Sequence, residues 1–196
     1  MYKTIIIIPC FKVEKHILNL LKKINFDAIY KILIIDDNCP NKTGLLVRKQ
    51  FKYKKVEVFI LKKNLGVGGA TKFGIKKSLK FRPDNIIKID GDGQHDPKFL
   101  YKFINLQKLN PECYIKGYRN LSYLNIPKSR LFGGFIITQI IRVLTFNFYL
   151  KDVVNGFISI PRSIYSNINY NNLDNGYFFE QDLIFYISLK KFKIIQ

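Results

Sequence analysis

Two carboxylates stand two residues apart in Asn85-Ile86-Ile87-Lys88-Ile89-Asp90-Gly91-Asp92-Gly93-Gln94-His95-Asp96-Pro97. An apolar, strand-like run delivers them, glycines flank them, and a helix start lies just behind. Along an extended backbone, residues two apart point to the same side. Asp90 and Asp92 could then hold one hard divalent cation, Mg²⁺ or Mn²⁺, whose other positions fall to substrate phosphates and water. That is the chemistry of a protein that handles a phosphorylated ligand through a metal. Asp-Gly pairs are also ordinary turn formers, so the rest of the chain has to decide.

Two further segments carry unusual polar residues. The apolar run Lys31–Ile35 ends in Asp36-Asp37-Asn38-Cys39-Pro40. Adjacent carboxylates repel if both are packed, so at least one is expected to face solvent, a donor-rich ligand or a cation. An acidic residue just beyond such a strand accepts hydrogen bonds from ribose hydroxyls or a base N–H; a helix-capping turn is the plainer alternative. The run Val56–Leu61 leads into Asn64-Leu65-Gly66-Val67-Gly68-Gly69-Ala70. Glycines between strand and helix let the backbone approach a ligand, and a helix N-terminus favours anions. It is not a dinucleotide fingerprint, because position 71 is threonine and the strand is not the first. Nor does it carry the lysine-and-hydroxyl ending of a P-loop.

These residues need elements to position them. Thr4–Pro9, Lys31–Ile35, Val56–Leu61 and Asn85–Ile89 are short, isoleucine- and valine-rich runs that suit parallel strands buried on both faces. Between them, Ile17–Ile24, Leu45–Phe51 and Ala70–Leu79 have apolar residues at helical spacing. The alternation predicts an open, mostly parallel α/β sheet flanked by helices, with ligands at the carboxyl ends of its strands, where the unusual polar residues fall. Further on, Glu112–Lys116 and Phe157–Ile160 read as strands and Tyr177–Leu189 as a helix. Leu131–Leu150 is strongly apolar, but Arg142 sits near its middle. A central arginine is costly in a bilayer, so this stretch reads as a helix at a membrane interface or against the core. The chain stops at Lys193-Ile194-Ile195-Gln196, inside an apolar run that looks like a beginning strand, which reads as a C-terminal truncation of a single domain over residues 1–196.

The 196 residues carry a formal net charge of +19 and three cysteines. The odd cysteine count and the lack of C-x-x-C spacing argue against a disulfide framework or zinc site and fit a reducing cytosol. No secretory signal opens the chain. The positive charge is mostly lysine spread along the whole length, without an RNP, zinc-finger or helix-turn-helix signature, so no specific nucleic-acid partner is expected. A basic surface still favours anionic membranes and phosphorylated substrates.

Ile5–Glu14 (with Pro9 and Phe11), Ile34-Ile35-Asp36-Asp37-Asn38, Asn64-Leu65-Gly66 with Gly68, and Asp90–Pro97 occur in the order and approximate spacing of the family 2 GT-A glycosyltransferases. The chain most resembles the branch that includes dolichyl-phosphate mannose synthase and bacterial polyprenyl-phosphate glycosyltransferases, over nearly its whole length. The resemblance implies a GT-A fold and an inverting, metal-dependent transfer of a sugar from a UDP- or GDP-sugar. The implied acceptor is a polyprenyl phosphate at the cytoplasmic membrane face, or else a growing cell-surface glycan. Pro9, Phe11 and Glu14 would line the nucleotide, Asp37 with Asp36 beside it would contact base or ribose, and Gly66 and Gly91 would let backbone close on the donor. Asp90, Asp92 and Gln94 would meet the metal, and Arg119 and Arg130 the phosphates. Asp152–Phe157 is similar to the family's D-x-x-S-G-F/Y stretch, with Asn155 in place of serine. Glu180 or Asp182 falls where inverting members carry an acidic residue near the acceptor. A sugar-nucleotide pyrophosphorylase would need a glycine-rich basic loop after the first strand, where this chain has Pro9–Glu14. A chain that still binds nucleotide without turnover is the remaining alternative.

Overall fold

The computed structural model describes residues 2–119 and 128–196, apart from the side chains of Lys128 and Arg130. Among these residues, seven strands form one sheet in the order β3-β2-β1-β4-β6-β5-β7. The strands are β1 (Thr4–Cys10), β2 (Lys31–Asp36), β3 (Val56–Ile60), β4 (Asn85–Lys88), β5 (Tyr114–Lys116), β6 (Ile158–Pro161) and β7 (Ile194–Ile195). β3, β2, β1 and β4 run parallel, as the alternating pattern predicts. β6 is antiparallel to both β4 and β5, and β5 and β7 are parallel again, so the sheet is mixed. The two-residue β7 lies in the apolar run at the end of the sequence.

Helices cover both faces. α1 (Glu14–Lys23), α2 (Thr43–Gln50) and α4 (Phe99–Leu109) lie on one; α3 (Gly66–Ser78), α5 (Lys128–Thr145), α6 (Arg162–Tyr165) and α7 (Phe179–Leu189) lie on the other. Alternate residues of β1 split between the two cores: Ile5 and Ile7 pack toward α3 and α7, Ile6 and Ile8 toward α1. Isoleucine suits both jobs, because its branched Cβ fits the pleat and each fully buried side chain contributes about 1.5–3 kcal/mol. The register Ile7↔Lys88 then puts the Lys88 side chain on the α3/α7 face, among apolar neighbours.

Two expectations need correcting. The glycines Gly66, Gly68 and Gly69 belong to the first turn of α3 rather than to a turn before it. A Cβ at Gly68 would come within 2.6 Å of the Asp174 carbonyl and 2.8 Å of Phe179 Cβ. The glycines are therefore there to let α3 pack against the start of α7. The apolar stretch to Leu150 is helical only to Thr145; Phe146 has φ of +51°, which breaks the helix. Arg142 turns back and donates from Nε to the Leu150 carbonyl at 2.5 Å, so its charge caps the turn that follows. Of the two places expected for this stretch, packing against the core is the one the fold shows: α5 lies along the α3/α7 face and leaves an apolar side exposed. Ile141 and Thr138 are buried on its inner edge, while Phe132, Phe135, Ile136, Ile140, Val143 and Leu144 are exposed. Among the described residues, no helix is long and apolar enough to cross a membrane.

Candidate active site

The carboxyl ends of β1, β2 and β4 open into a cavity of about 420 Å³, closed on its other side by residues from the start of α7 and the segment before β6. Its size suits a small-molecule ligand. Of the residues singled out in the sequence, Pro9, Phe11, Asp37 and Gly66 line it on the β1–β2 side. Asp90, Gly91, Asp92 and Gln94 line it at the end of β4, and Arg119 and Glu180 also line it.

The two carboxylates reach the cavity by a different route from the one expected. β4 ends at Lys88, and residues 91–93 form a turn, so an extended backbone does not align Asp90 with Asp92. Gly91 sits where a Cβ would press on Val13, Cys10 and Ile8 at 3.2–3.4 Å, and Gly93 has φ of +79°. These glycines fold the turn so that both acids line one space. Asp92 Oδ1 accepts the Gln94 N–H at 3.0 Å. Asp90 Oδ1 is 2.7 Å from Lys88 Nζ. Burial alone would raise the Asp90 carboxyl, but the Lys88 ammonium outweighs it and holds it below the usual carboxylate range. Two hard oxygen donors beside an open cavity fit a divalent cation whose sphere is completed by substrate phosphates. They do not make a closed protein cage, and among the described residues there is no cluster of three or more His, Cys, Asp or Glu.

The acidic pair after β2 divides its work. Asp36 is 1% exposed, accepts the Cys39 N–H at 2.7 Å and the Gly44 N–H at the start of α2, and does not line the cavity. Asp37 is 3% exposed, and its Oδ1 accepts the Leu65 N–H at 2.7 Å, tying the start of α3 to β2. Burial raises its carboxyl, although the backbone donors of Leu65 and Gly66 oppose that. Both acids are thus packed. The repulsion expected to drive one outward is met by backbone N–H groups, which solvate a carboxylate as water would. Asp36→Ala is expected to cost about 2–4 kcal/mol, since it orphans two buried donors; urea unfolding measures this.

The remaining expected residues are also placed. Glu14, in the first turn of α1, accepts from Asn41 Nδ2 at 2.8 Å and lies outside the cavity lining. Asp182 Oδ2 accepts the Asp174 N–H at 2.7 Å and likewise stays outside. Glu180, 4% exposed, lines the cavity, with Oε1 2.5 Å from Lys88 Nζ. Arg119 is gripped by Asp152 through Nε at 2.8 Å and Nη2 at 3.1 Å while still lining the cavity. Arg130 falls in the first turn of α5, with its side chain outside the described residues.

Lys88 and Lys116 were not anticipated, and His95 and Asn155 take roles that the sequence did not assign. Lys88 bridges Asp90 and Glu180 and is 2% exposed; burial would lower its ammonium, but the two carboxylates overrule burial and raise it. His95 is buried against Phe157. Its Nδ1 accepts the Asp90 N–H at 3.4 Å and its Nε2 donates to Asn155 Oδ1 at 3.0 Å, an arrangement that suits the neutral ring, and burial lowers its pKa accordingly. Asn155 Oδ1 also accepts the Phe157 N–H at 2.8 Å, so the asparagine that replaces serine here is a scaffold for His95. Lys116 donates to the Asn155 carbonyl, and burial pushes its ammonium down to about 8. The sequence signal for Lys88 was its place inside an otherwise apolar strand, and that for Asn155 its departure from the family's serine.

The chain is similar to several known proteins. A model described as "Glycosyl transferase family 2" matches residues 5–168. An uncharacterized protein of Methanocaldococcus jannaschii is 28% identical, covering 98% of this chain and 85% of its own. A UDP-N-acetylglucosamine–dolichyl-phosphate N-acetylglucosaminyltransferase of Methanococcus voltae is 26% identical over 81% of this chain and 69% of its own. A dolichol-phosphate mannosyltransferase of Pyrococcus furiosus is 25% identical over 86% of this chain but only 49% of its own, so the chain spans about half of that enzyme. Among solved structures, glucosyl-3-phosphoglycerate synthase from Mycobacterium tuberculosis, in complex with Mn²⁺, UDP and phosphoglyceric acid, superposes with a TM-score of 0.73 at 14% identity. That match covers 96% of this chain and 65% of the synthase, and it shares the GT-A fold.

Proposed function

Since the chain belongs to glycosyl transferase family 2 and is a glycosyltransferase, we propose that it moves a sugar, with inversion, from a UDP- or GDP-sugar to a polyprenyl phosphate at the cytoplasmic face of a membrane, using Mg²⁺ or Mn²⁺. The observation that carries this reading is that Asp90, Asp92 and Arg119 line one cavity at the carboxyl ends of the strands. Residues 1–196 are read as one GT-A domain.

In this reading Phe11 and Pro9 border the nucleoside, and Asp37 accepts its hydrogen bonds. A divalent cation held by Asp90 and Asp92, with Gln94 beside them, would stabilise the negative charge that builds on the departing nucleoside diphosphate. Arg119 would hold phosphate oxygens; Asp152 orients the guanidinium so that little side-chain freedom is lost on binding. The choice of a lipid phosphate over a saccharide is supported by the state of the two candidate bases. Asp182 is committed to the Asp174 backbone, and Glu180 is buried in an ion pair with Lys88. An acceptor that is already ionised needs neither, whereas a sugar hydroxyl needs a general base. The exposed apolar face of α5 and the net charge of +19 support a site beside an anionic membrane.

The test is a donor screen that follows nucleoside diphosphate release from UDP- and GDP-sugars, with Mn²⁺ or EDTA, in the presence of polyprenyl phosphate or of a saccharide. Release that requires both Mn²⁺ and the lipid phosphate is expected. Release driven by the saccharide instead would establish glycan extension, and nucleotide binding without release under every condition would mean a remnant without turnover.

A further inference from the structure

We propose that Lys88 is a resident cation competing with the divalent metal for Asp90, and that Glu180 is the counter-charge that draws the ammonium away when Asp90 takes the metal. The inference rests on the metal reading above and makes Lys88 and Glu180 positioning residues that set cation affinity.

The geometry is that of one charge shared by two acids from opposite sides of the site. Lys88 comes from β4, and its Nζ sits 2.7 Å from Asp90 Oδ1 and 2.5 Å from Glu180 Oε1 of α7. At 2% exposure the ammonium cannot turn to water, so it must stay with one carboxylate or the other. The surroundings leave it no third choice. On the far side, Gly156 closes the space: a Cβ there would come within 2.5 Å of Nζ. Lys116, the nearest cation from β5, is committed to the Asn155 carbonyl, and Arg119 is committed to Asp152. The Asp90–Lys88–Glu180 group therefore carries a net single negative charge before any metal arrives. A divalent cation that claims Asp90 must displace Lys88, and Glu180 is where the lysine goes.

This arrangement predicts that a second substitution reverses the effect of the first, which a purely structural role would not produce. Glu180→Gln leaves the ammonium wholly on Asp90 and strengthens the competitor. Lys88→Met with Glu180→Gln removes competitor and counter-charge together. Replacing both members of a buried pair is also the change that folding tolerates best. The measurement is a titration with Mn²⁺ alone, read as free Mn²⁺ by electron paramagnetic resonance, with thermal melts on each variant.

Glu180→Gln is expected to weaken Mn²⁺ binding about tenfold or more, the scale of one unit charge at this distance and an intermediate dielectric. The double variant is expected to bind within about threefold of the original protein or more tightly, a non-additive recovery. Binding unchanged in Glu180→Gln, or a double variant that binds Mn²⁺ more than threefold more weakly than the original, overturns the inference. The second comparison stands even if Glu180→Gln alone does not fold. If the original protein binds Mn²⁺ and all variants bind it equally, only this inference falls. If the original protein binds none, the metal reading falls and takes the inference with it.

Discussion

Asp92→Ala is expected to lower kcat/KM for donor turnover by on the order of 10³-fold and to leave the residue of activity indifferent to Mn²⁺, the loss typical of removing a group that stabilises developing charge. Stability should hardly change. Asp92 lies in the turn after β4, where its Oδ1 accepts the Gln94 N–H, and it is not part of the ion pairing around Lys88. Loss of that one bond costs about 1 kcal/mol. A variant that melts like the original protein but no longer releases nucleoside diphosphate separates a ligand role from a folding role. If Asp92→Ala keeps both its turnover and its response to Mn²⁺, the metal site is wrongly placed. Asp90→Asn is the less informative change, because it also removes a partner from a buried lysine.

How much of this site was legible in the sequence depends on what each residue answers to. The parallel half of the sheet follows from isoleucine runs alternating with helical spacing, because burial on both faces leaves that pattern and no other. β7 was legible as the beginning of a strand in the apolar run at the end of the sequence, although two residues are too few to show a period. Asp90 and Asp92 were legible as a pair, but the reason offered for their alignment was wrong. The alignment comes from Gly91 and Gly93 in a turn, and glycine leaves no periodicity to read. Asp36 and Asp182 could not be separated from Asp37 and Glu180 by spacing. What divides them is which backbone N–H groups happen to converge on each carboxylate, a property of the folded chain.

Lys88 is the instructive case. A lysine inside a strand buried on both faces has to be paired, because an isolated ammonium there would neutralise rather than persist. That much the sequence states. It does not state the partners, since Asp90 is two residues away and Glu180 lies ninety-two residues on, in a helix that reaches β4 only through the packing of α7 against the sheet. The same packing explains why Asn155 tolerates the loss of the family's serine. Its amide oxygen is used for the Phe157 N–H and the His95 ring, contacts that fix the wall of the cavity.

Gly156→Ala is expected to abolish turnover and to destabilise the protein by about 3–5 kcal/mol, the range for breaking a buried ion pair. The added carbon would collide with the Asp90 carboxylate and lie 2.5 Å from Lys88 Nζ, and neither group can yield cheaply. Moving Asp90 takes one of the two acids off the cavity; moving Lys88 strips Glu180 of its cation. Backbone strain plays no part, because Gly156 is not among the glycines with positive φ, so the whole effect is one of space. Gly133→Ala is the matched control. A Cβ at Gly133, in α5, meets nothing within 4 Å, and alanine there should be neutral or stabilising by up to about 1 kcal/mol through helix propensity. Thermal melts and donor turnover on the two variants side by side measure the difference. A Gly156→Ala protein as active and as stable as the Gly133→Ala one would mean that the acids at the end of β4 are not held against this glycine, and the close-packed site described above would have to be redrawn.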